Sequence, residues 1–355
     1  MNIVHLITTI ERGGAENQLL ILCEEQLRIG NQVTVFYLKG KPVLEAAFTK
    51  MGVRSYKVAG NSLISQSFFF KRDLKMLKPD VVHAHLPRSE LVATLSGTKI
   101  PLVVSRHNAE KFFNSAPRFI SSFFARFSSK QSNAGIAISK SVRNFLIEAN
   151  EIAKNKEFHV VTYGYNFTTE NEEHVPSTHQ TKHKLLAIGR LVPQKDYPTI
   201  LRGLSMLASQ EMDFEISVLG EGENRVELQK LSKELKLEKR VFWMGKVEDT
   251  KSFYKESDLF ILASRYEGFG MVLVEAMDHS LPIVCASSPT AIEVLGENYP
   301  GLFEIGSPRD LAEKVSWALE NSGILVRELD YRKRFFIASD MAQKVQEIYE
   351  LIQVH

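Results

Sequence analysis

The feature that most constrains this chain is an alternation that runs twice along it. Short apolar, β-branched runs take turns with longer segments of helical periodicity. In the first half Ile3–Ile7 reads as a strand, and Ala15–Arg28 follows with Leu19, Leu20, Leu22, Cys23 and Leu27 at helical spacing. Val33–Tyr37, Val81–His85, Leu102–Ser105 and Gly135–Ile138 continue the strand series. Uninterrupted apolar strands separated by helices need cover on both faces, which is the signature of a parallel sheet in an α/β fold. Residues 166–183 (NFTTENEEHVPSTHQTKH) are polar, lack apolar periodicity and read as a linker. The alternation then restarts with Leu185–Ile188, Glu215–Leu219, Arg240–Trp243, Leu259–Leu262 and Pro282–Cys285. The expectation is two Rossmann-like domains, 1–165 and 184–335, joined by that linker. The closing segment places Met341, Val345, Ile348, Tyr349 and Ile352 on one stripe. Residues 336–355 are therefore expected to form a helix that packs back on the first domain.

Composition narrows the class of partner. The 355 residues carry a formal net charge of +2, so nothing in the balance demands a nucleic acid. Cys23 and Cys285 sit far apart in apolar stretches, match no metal or redox spacing, and read as two reduced buried thiols. The opening apolar run is broken by Glu11 and Arg12, too soon for a signal peptide. No stretch of about 18 uncharged apolar residues appears, so no membrane-spanning helix is expected. These features point to the cytoplasm and leave contact with the inner face of the cell membrane open.

Chemistry concentrates at strand ends. The strand Leu259–Leu262 runs into SRYEGFGMVLVEAMD (Ser264–Asp278), where a helix starts near Gly270. Ligands of open α/β sheets bind outside the carboxyl ends of strands. Gly268 and Gly270 allow close backbone approach, and helix N-terminal amides favour an anion. Glu267 and Glu275 are placed to accept hydrogen bonds from sugar or ribose hydroxyls; the competing reading is a solvated pair beside an ordinary turn. In IGRLVPQKD (Ile188–Asp196), Arg190 and Lys195 emerge from one strand-end loop, as two cations suited to a diphosphate or as two surface charges. ERGGAE (Glu11–Glu16) follows the first strand, where Gly13 and Gly14 would let the loop approach a phosphate. It lacks the G-x-G-x-x-G spacing of a dinucleotide fingerprint. VSRHN (Val104–Asn108) presents His107 at a strand end, flanked by Arg106 and Asn108. His83 and His85, in VVHAHLPRS, stand at another, where structural and functional roles are equally open; Arg88 beside them is a candidate acceptor contact.

Taken together, EGFGMVLVE, GR…K and GGAE resemble the motifs of retaining glycosyltransferases with the two-domain B-type fold, most closely family four. The resemblance covers nearly the whole chain and implies two facing domains with a nucleotide-sugar in the cleft between them. It implies that Glu267 contacts donor-sugar hydroxyls and that Glu275 grips the ribose. The amides of Phe269, Gly270 and Met271, with Gly268, would hold the sugar and diphosphate. Arg190 and Lys195 would stabilise the leaving diphosphate, Gly13 and Gly14 would approach the phosphate, and Val247 would read the base edge. His107 matches the cleft histidine near the reacting sugar, with Arg88, Arg106 and Asn108 on the acceptor side. A UDP-sugar is the expected donor, a glycan or lipid-linked glycan the expected acceptor, and cell-surface polysaccharide synthesis the expected setting. Departures are Pro289-Thr290 in place of a diglycine, Ser280 for a small glycine, and Tyr163–Asn166 for Asn-Gly-x-Asp. No Asp-x-Asp occurs, so no metal and no other cofactor is expected. The alternatives are a UDP-sugar epimerase on the same fold, or a non-catalytic nucleotide-sugar-binding subunit.

Two segments mix phenylalanine with basic residues: Gln66–Lys75 and residues 111–130. They read either as a surface for an anionic membrane, or as core and acceptor-site residues.

Overall fold

The computed structural model describes residues 1–113, 115–168 and 182–353. The chain divides into two compact units, Met1–Asn166 with Phe336–His355, and Phe167–Phe335. Of the segment read as a linker, residues 169–181 lie outside the described residues.

The first unit is built on β1 (Asn2–Ile7), β2 (Gln32–Tyr37), β3 (Arg54–Lys57), β4 (Val81–His85), β5 (Leu102–Arg106), β6 (Ala134–Ala137) and β7 (Phe158–Val160). They form one seven-stranded sheet in the order β3-β2-β1-β4-β5-β6-β7. Every pairing is parallel, as continuous apolar strands require. Chain order reverses direction across the sheet between β1 and β4, where His5 pairs with His83 and Ile7 with His85. β3 and β7 are absent from the sequence reading. β3 is a four-residue edge strand, RSYK, with mostly exposed side chains, and β7 has only three residues. Neither is long enough to show a period.

The C-terminal helix Ala338–Gln353 packs on this unit. Met341, Val345, Ile348 and Tyr349 meet Ile3, Leu22, Val81, Val103 and Ile136 in one buried cluster. Each such side chain contributes roughly 1.5–3 kcal/mol by leaving water. The segment is also tied through backbone: Tyr165 N–H donates to Phe336 O at 2.7 Å, and Ala338 N–H to Tyr165 O at 3.2 Å. Gly164 is required there, since a Cβ would sit 2.6 Å from Ala338 Cα.

The second unit carries β8 (His183–Ile188), β9 (Phe214–Leu219), β10 (Val241–Gly245), β11 (Leu259–Leu262), β12 (Ile283–Ala286) and β13 (Leu302–Phe303). The six strands are parallel in the order β10-β9-β8-β11-β12-β13, so this sheet reverses between β8 and β11. This is the doubly wound Rossmann order, with its switch point between the first and fourth strands. β13 has two residues and shows no sequence period. Cys23 and Cys285 are buried free thiols.

Candidate functional site

In the second unit the loops after β8 and β11 leave adjacent sheet positions at the switch point, and they are stitched together. Gln194 Nε2 donates to Tyr266 O at 2.7 Å, and Arg265 N–H to Gln194 O at 3.0 Å. Arg265 also pairs with the buried Asp196 at 3.1 Å. These contacts bring Lys195 and Glu267 into a direct ion pair, with side chains only 10% and 12% exposed. Such a pair, partly dehydrated, is held by its surroundings as well as by its own attraction. Glu267 is fixed from behind, since Thr290 Oγ1 donates to its carbonyl at 2.8 Å. Thr290 stands at the departure from the diglycine pattern, so a side-chain tether occupies that place. Arg190 is exposed, 3.5 Å from Gln194 Oε1.

Glycine sets how closely these loops pass. Gly220, after β9, has φ +138°, and a Cβ there would run into the Gly189 carbonyl. Gly270 has φ +84° and caps the helix Met271–Asp278. Its left-handed turn aims the chain of Gly268–Gly270 into the helix start, where amide dipoles favour an anion. Phe269 is buried, and Met271 opens the helix. Glu275 lies in that helix and accepts from Tyr254 OH at 2.9 Å. Burial raises its pKa above the usual carboxylate value, against the lowering effects of Tyr254 and His279. Tyr254 stacks on His279 with ring centroids 5.1 Å apart, and His279 Nδ1 lies 2.9 Å from Glu275 O. Val247 follows β10, partly buried.

The first unit assembles a different kind of cluster at its own switch point. His5 on β1 and His83 and His85 on β4 are fully buried, with His107 just past β5. A hydrogen-bonded chain runs through them. His5 Nε2 lies 2.8 Å from Gln26 Oε1, and His5 Nδ1 lies 2.9 Å from His85 Nε2. His85 Nδ1 lies 3.2 Å from His107 Nε2, and His107 Nδ1 lies 2.5 Å from Tyr163 OH. Gln26 Oε1 can only accept, which makes His5 Nε2 the donor and assigns every later proton: His85 Nε2–H to His5, His107 Nε2–H to His85, and Tyr163 O–H to His107. A branch sets Tyr349 OH 2.6 Å from His83 Nδ1 and His83 Nε2 2.7 Å from Ser105 Oγ. This assignment holds with one proton on each ring, the neutral form that burial favours. Burial lowers the pKa of His5 to about 4 and that of His107 to about 3. His83 and His85 are held well below the ordinary value by burial and by neighbouring imidazoles. Among the described residues, His5, His83 and His85 are also the group close enough to share a metal ion, but their ring nitrogens are engaged in these bonds.

For His83 and His85, whose roles the sequence leaves open, the structure shows a buried hydrogen-bonded place. Both ring nitrogens of His107 are committed inside the first unit, although the residue also borders a pocket of about 350 Å³ with Leu86, Asn108, Lys111 and Phe112. Arg106 is corrected. It is 4% exposed, pairs with buried Glu90 at 2.7 Å and Glu151 at 3.0 Å, and stacks over Phe112. It is a structural cation, and neither glutamate was legible as its partner from sequence. Asn108 is exposed. Arg88 Nη2 reaches Gln66 Oε1 at 2.9 Å and Asn61 O at 3.2 Å. Gly13 caps the helix Gly14–Arg28 in an extended conformation, where a Cβ would run into the Glu16 carboxylate, while a Cβ on Gly14 would meet open space. Thr9 Oγ1 donates to Glu16 at 2.6 Å, closing this loop.

Residues 12–169 match the family Glycosyltransferase Family 4, and residues 169–335 match Glycosyl transferases group 1. The two halves of the chain thus match two different glycosyltransferase domain models, on a fold of two Rossmann-like units. Mannosylfructose-phosphate synthase of Agrobacterium fabrum is 33% identical over 152 residues, 37% of this chain and 33% of that one. The chain thus spans about a third of that relative's length. The amylovoran biosynthesis glycosyltransferase AmsD of Erwinia amylovora is 25% identical over 300 residues, 81% of this chain and 82% of that one. The Anabaena protein HepE, solved in complex with UDP, shares the fold of this chain with a TM-score of 0.80. It covers 98% of this chain and 99% of that one at 18% identity.

Proposed function

We propose that this protein transfers a sugar, with retention, from a nucleoside-diphosphate sugar to a hydroxyl of a glycan or lipid-linked glycan in polysaccharide synthesis. UDP is the proposed carrier. One observation carries the reading. Lys195 and Glu267, from the two loops that flank the sheet reversal, face each other as an ion pair beside the Gly268–Met271 turn. A diphosphate entering there competes for Lys195 and leaves the Glu267 carboxylate to accept from donor-sugar hydroxyls. Arg190, exposed on the same loop, adds a second cation to the leaving group. Charge grows on the diphosphate as its bond to the sugar breaks, so these cations act more strongly in the transition state than in the ground state. Glu275, steadied by Tyr254, receives the ribose, and Val247 the base.

Gly13 and Gly14 supply the phosphate approach from the first unit. His107 acts there as a fixed, neutral wall of the acceptor side with Asn108, its ring held by His85 and Tyr163. Arg88 is the remaining acceptor contact in this reading. The departing phosphate takes the acceptor proton as the hydroxyl attacks from the same face. The UDP bound to HepE supports the donor, and the amylovoran transferase supports the polysaccharide setting. A screen of nucleoside-diphosphate sugars, read by released UDP with and without glycan acceptors, tests this. Release that depends on acceptor is expected. Release without acceptor, accompanied by isomerised sugar, identifies an epimerase instead; binding without release from any pair identifies a non-catalytic subunit.

A further inference from the structure

The helix Arg118–Gln131 is amphipathic in the reverse of the usual sense. Ser121, Ala125, Ser128 and Ser129 point into the fold, while Phe119 and Phe123 point out and Phe127 packs partly inward. Phe119 is 74% and Phe123 66% exposed. The cause lies beneath the helix, in the buried Arg106 ion pairs. Ser128 Oγ donates to Glu90 at 3.1 Å, and Ser121 Oγ sits 3.5 Å from Glu151 Oε1. Ser129 Oγ accepts from Ala153 N–H at 3.1 Å. Polar contacts claim the inner face, so among the described residues Phe119 and Phe123 are left largely uncovered.

Outside, these rings share a groove of about 1120 Å³ with Arg118, Arg126 and Lys130. The helix itself contains no acidic residue, and Lys154 and Glu148 close the far wall of the groove. The helix Leu63–Leu77 repeats the pattern: Ile64, Phe68 and Met76 are exposed between Lys71, Arg72 and Lys75. Both helices contact the helix Pro87–Leu95, so they belong to one layer of the first unit.

We propose that this layer docks on a membrane surface rich in anionic phospholipid. Exposed phenylalanines flanked by cations suit the boundary between headgroups and acyl chains, with the rings entering it and Arg and Lys meeting phosphate. Charge complementarity selects this occupant: the cations of the two helices outnumber their single carboxylate, Asp73, which is itself paired with Arg72 at 3.3 Å. Among the described residues no helix is long and apolar enough to cross a membrane, so contact of this kind lies on the surface.

The test is flotation of the full chain with vesicles of phosphatidylcholine alone, or with about a third of the lipid replaced by phosphatidylglycerol. The protein should float with the anionic vesicles only. Phe119→Ser with Phe123→Ser, and separately Arg118→Gln, Arg126→Gln with Lys130→Gln, should each weaken binding by about tenfold or more. The side chains changed are outward-facing, so thermal melting should match the wild type and exclude misfolding. Added salt should release the wild type from anionic vesicles. Equal binding to both vesicle types, undiminished binding of both variants, or no binding at all would overturn the proposal. So would concentration-dependent self-association that the phenylalanine variant abolishes while vesicle binding is absent.

Discussion

Acidification should destabilise the first unit through its buried histidines, steeply and at a pH where surface carboxylates are still ionised. In an unfolded chain each imidazole binds a proton near its ordinary value of 6.5, whereas folded His5 resists down to about 4 and folded His107 down to about 3. Between these limits the unfolded chain holds more protons, so stability is full above pH 6.5 and falls as the pH drops. At about pH 5 the loss is about 2 kcal/mol for each of these two residues, or about 4 kcal/mol together. His83 and His85 move in the same direction. Two groups oppose it: Glu25 and Glu90, whose pKa values burial raises, gain stability as they protonate. A domain has only about 5–15 kcal/mol in total, so the first unit should lose a substantial share of its stability by about pH 5. Urea unfolding at half-unit steps from neutral to acid pH, followed by hydrogen exchange of β1 and β4, measures this. His5→Gln should flatten the acid slope by about 2 kcal/mol at about pH 5, whatever it does to stability at neutral pH. An unfolding free energy that stays level within about 1 kcal/mol over that range would show that the histidines are not held neutral by the fold.

Lys195→Ala and Arg190→Ala should mainly lower kcat, on the order of 100-fold each, in a steady-state transfer assay; a near-normal kcat would mean that the side chain does not face the diphosphate. Glu275→Gln should raise the donor KM more than it lowers kcat, because ribose contacts are alike in ground and transition states. Glu267→Gln should do the reverse. Calorimetry with UDP alone should then find weak binding to the Glu275 variant and near-normal binding to the Glu267 variant. Transfer should survive a chelator if, as proposed, Lys195, Arg190 and the helix amides meet the diphosphate; a loss beyond about tenfold, restored by magnesium or manganese, would refute the charge argument.

Much of this architecture was legible because its signals are local. Val81–His85 and Leu259–Leu262 coincide with their strands, and the others shift by a residue or two, because buried parallel strands must be apolar throughout. The stripe Met341–Ile352 announced a packed helix for the same reason. The place of one strand-end loop was legible too: Glu267, Gly268 and Gly270 follow β11 at the carboxyl edge of the sheet, where backbone amides remain available. Other features depend on residues remote in sequence. Arg106 reads as a loop cation until Glu90 and Glu151 close around it from two other elements. His107 reads as a reactive side chain until β1, β4 and Tyr163 supply the chain that occupies both its nitrogens. Phe119 and Phe123 read either as surface or as core until the buried glutamates draw Ser121 and Ser128 inward and turn the rings to solvent. The sequence by itself determined two apolar-stranded α/β units and the polar loops at their edges, because burial of a strand is written in its own residues. Only the tertiary structure decided which charges pair, which imidazoles stay neutral and which aromatic face is left uncovered, because those depend on what distant segments bring within hydrogen-bonding distance.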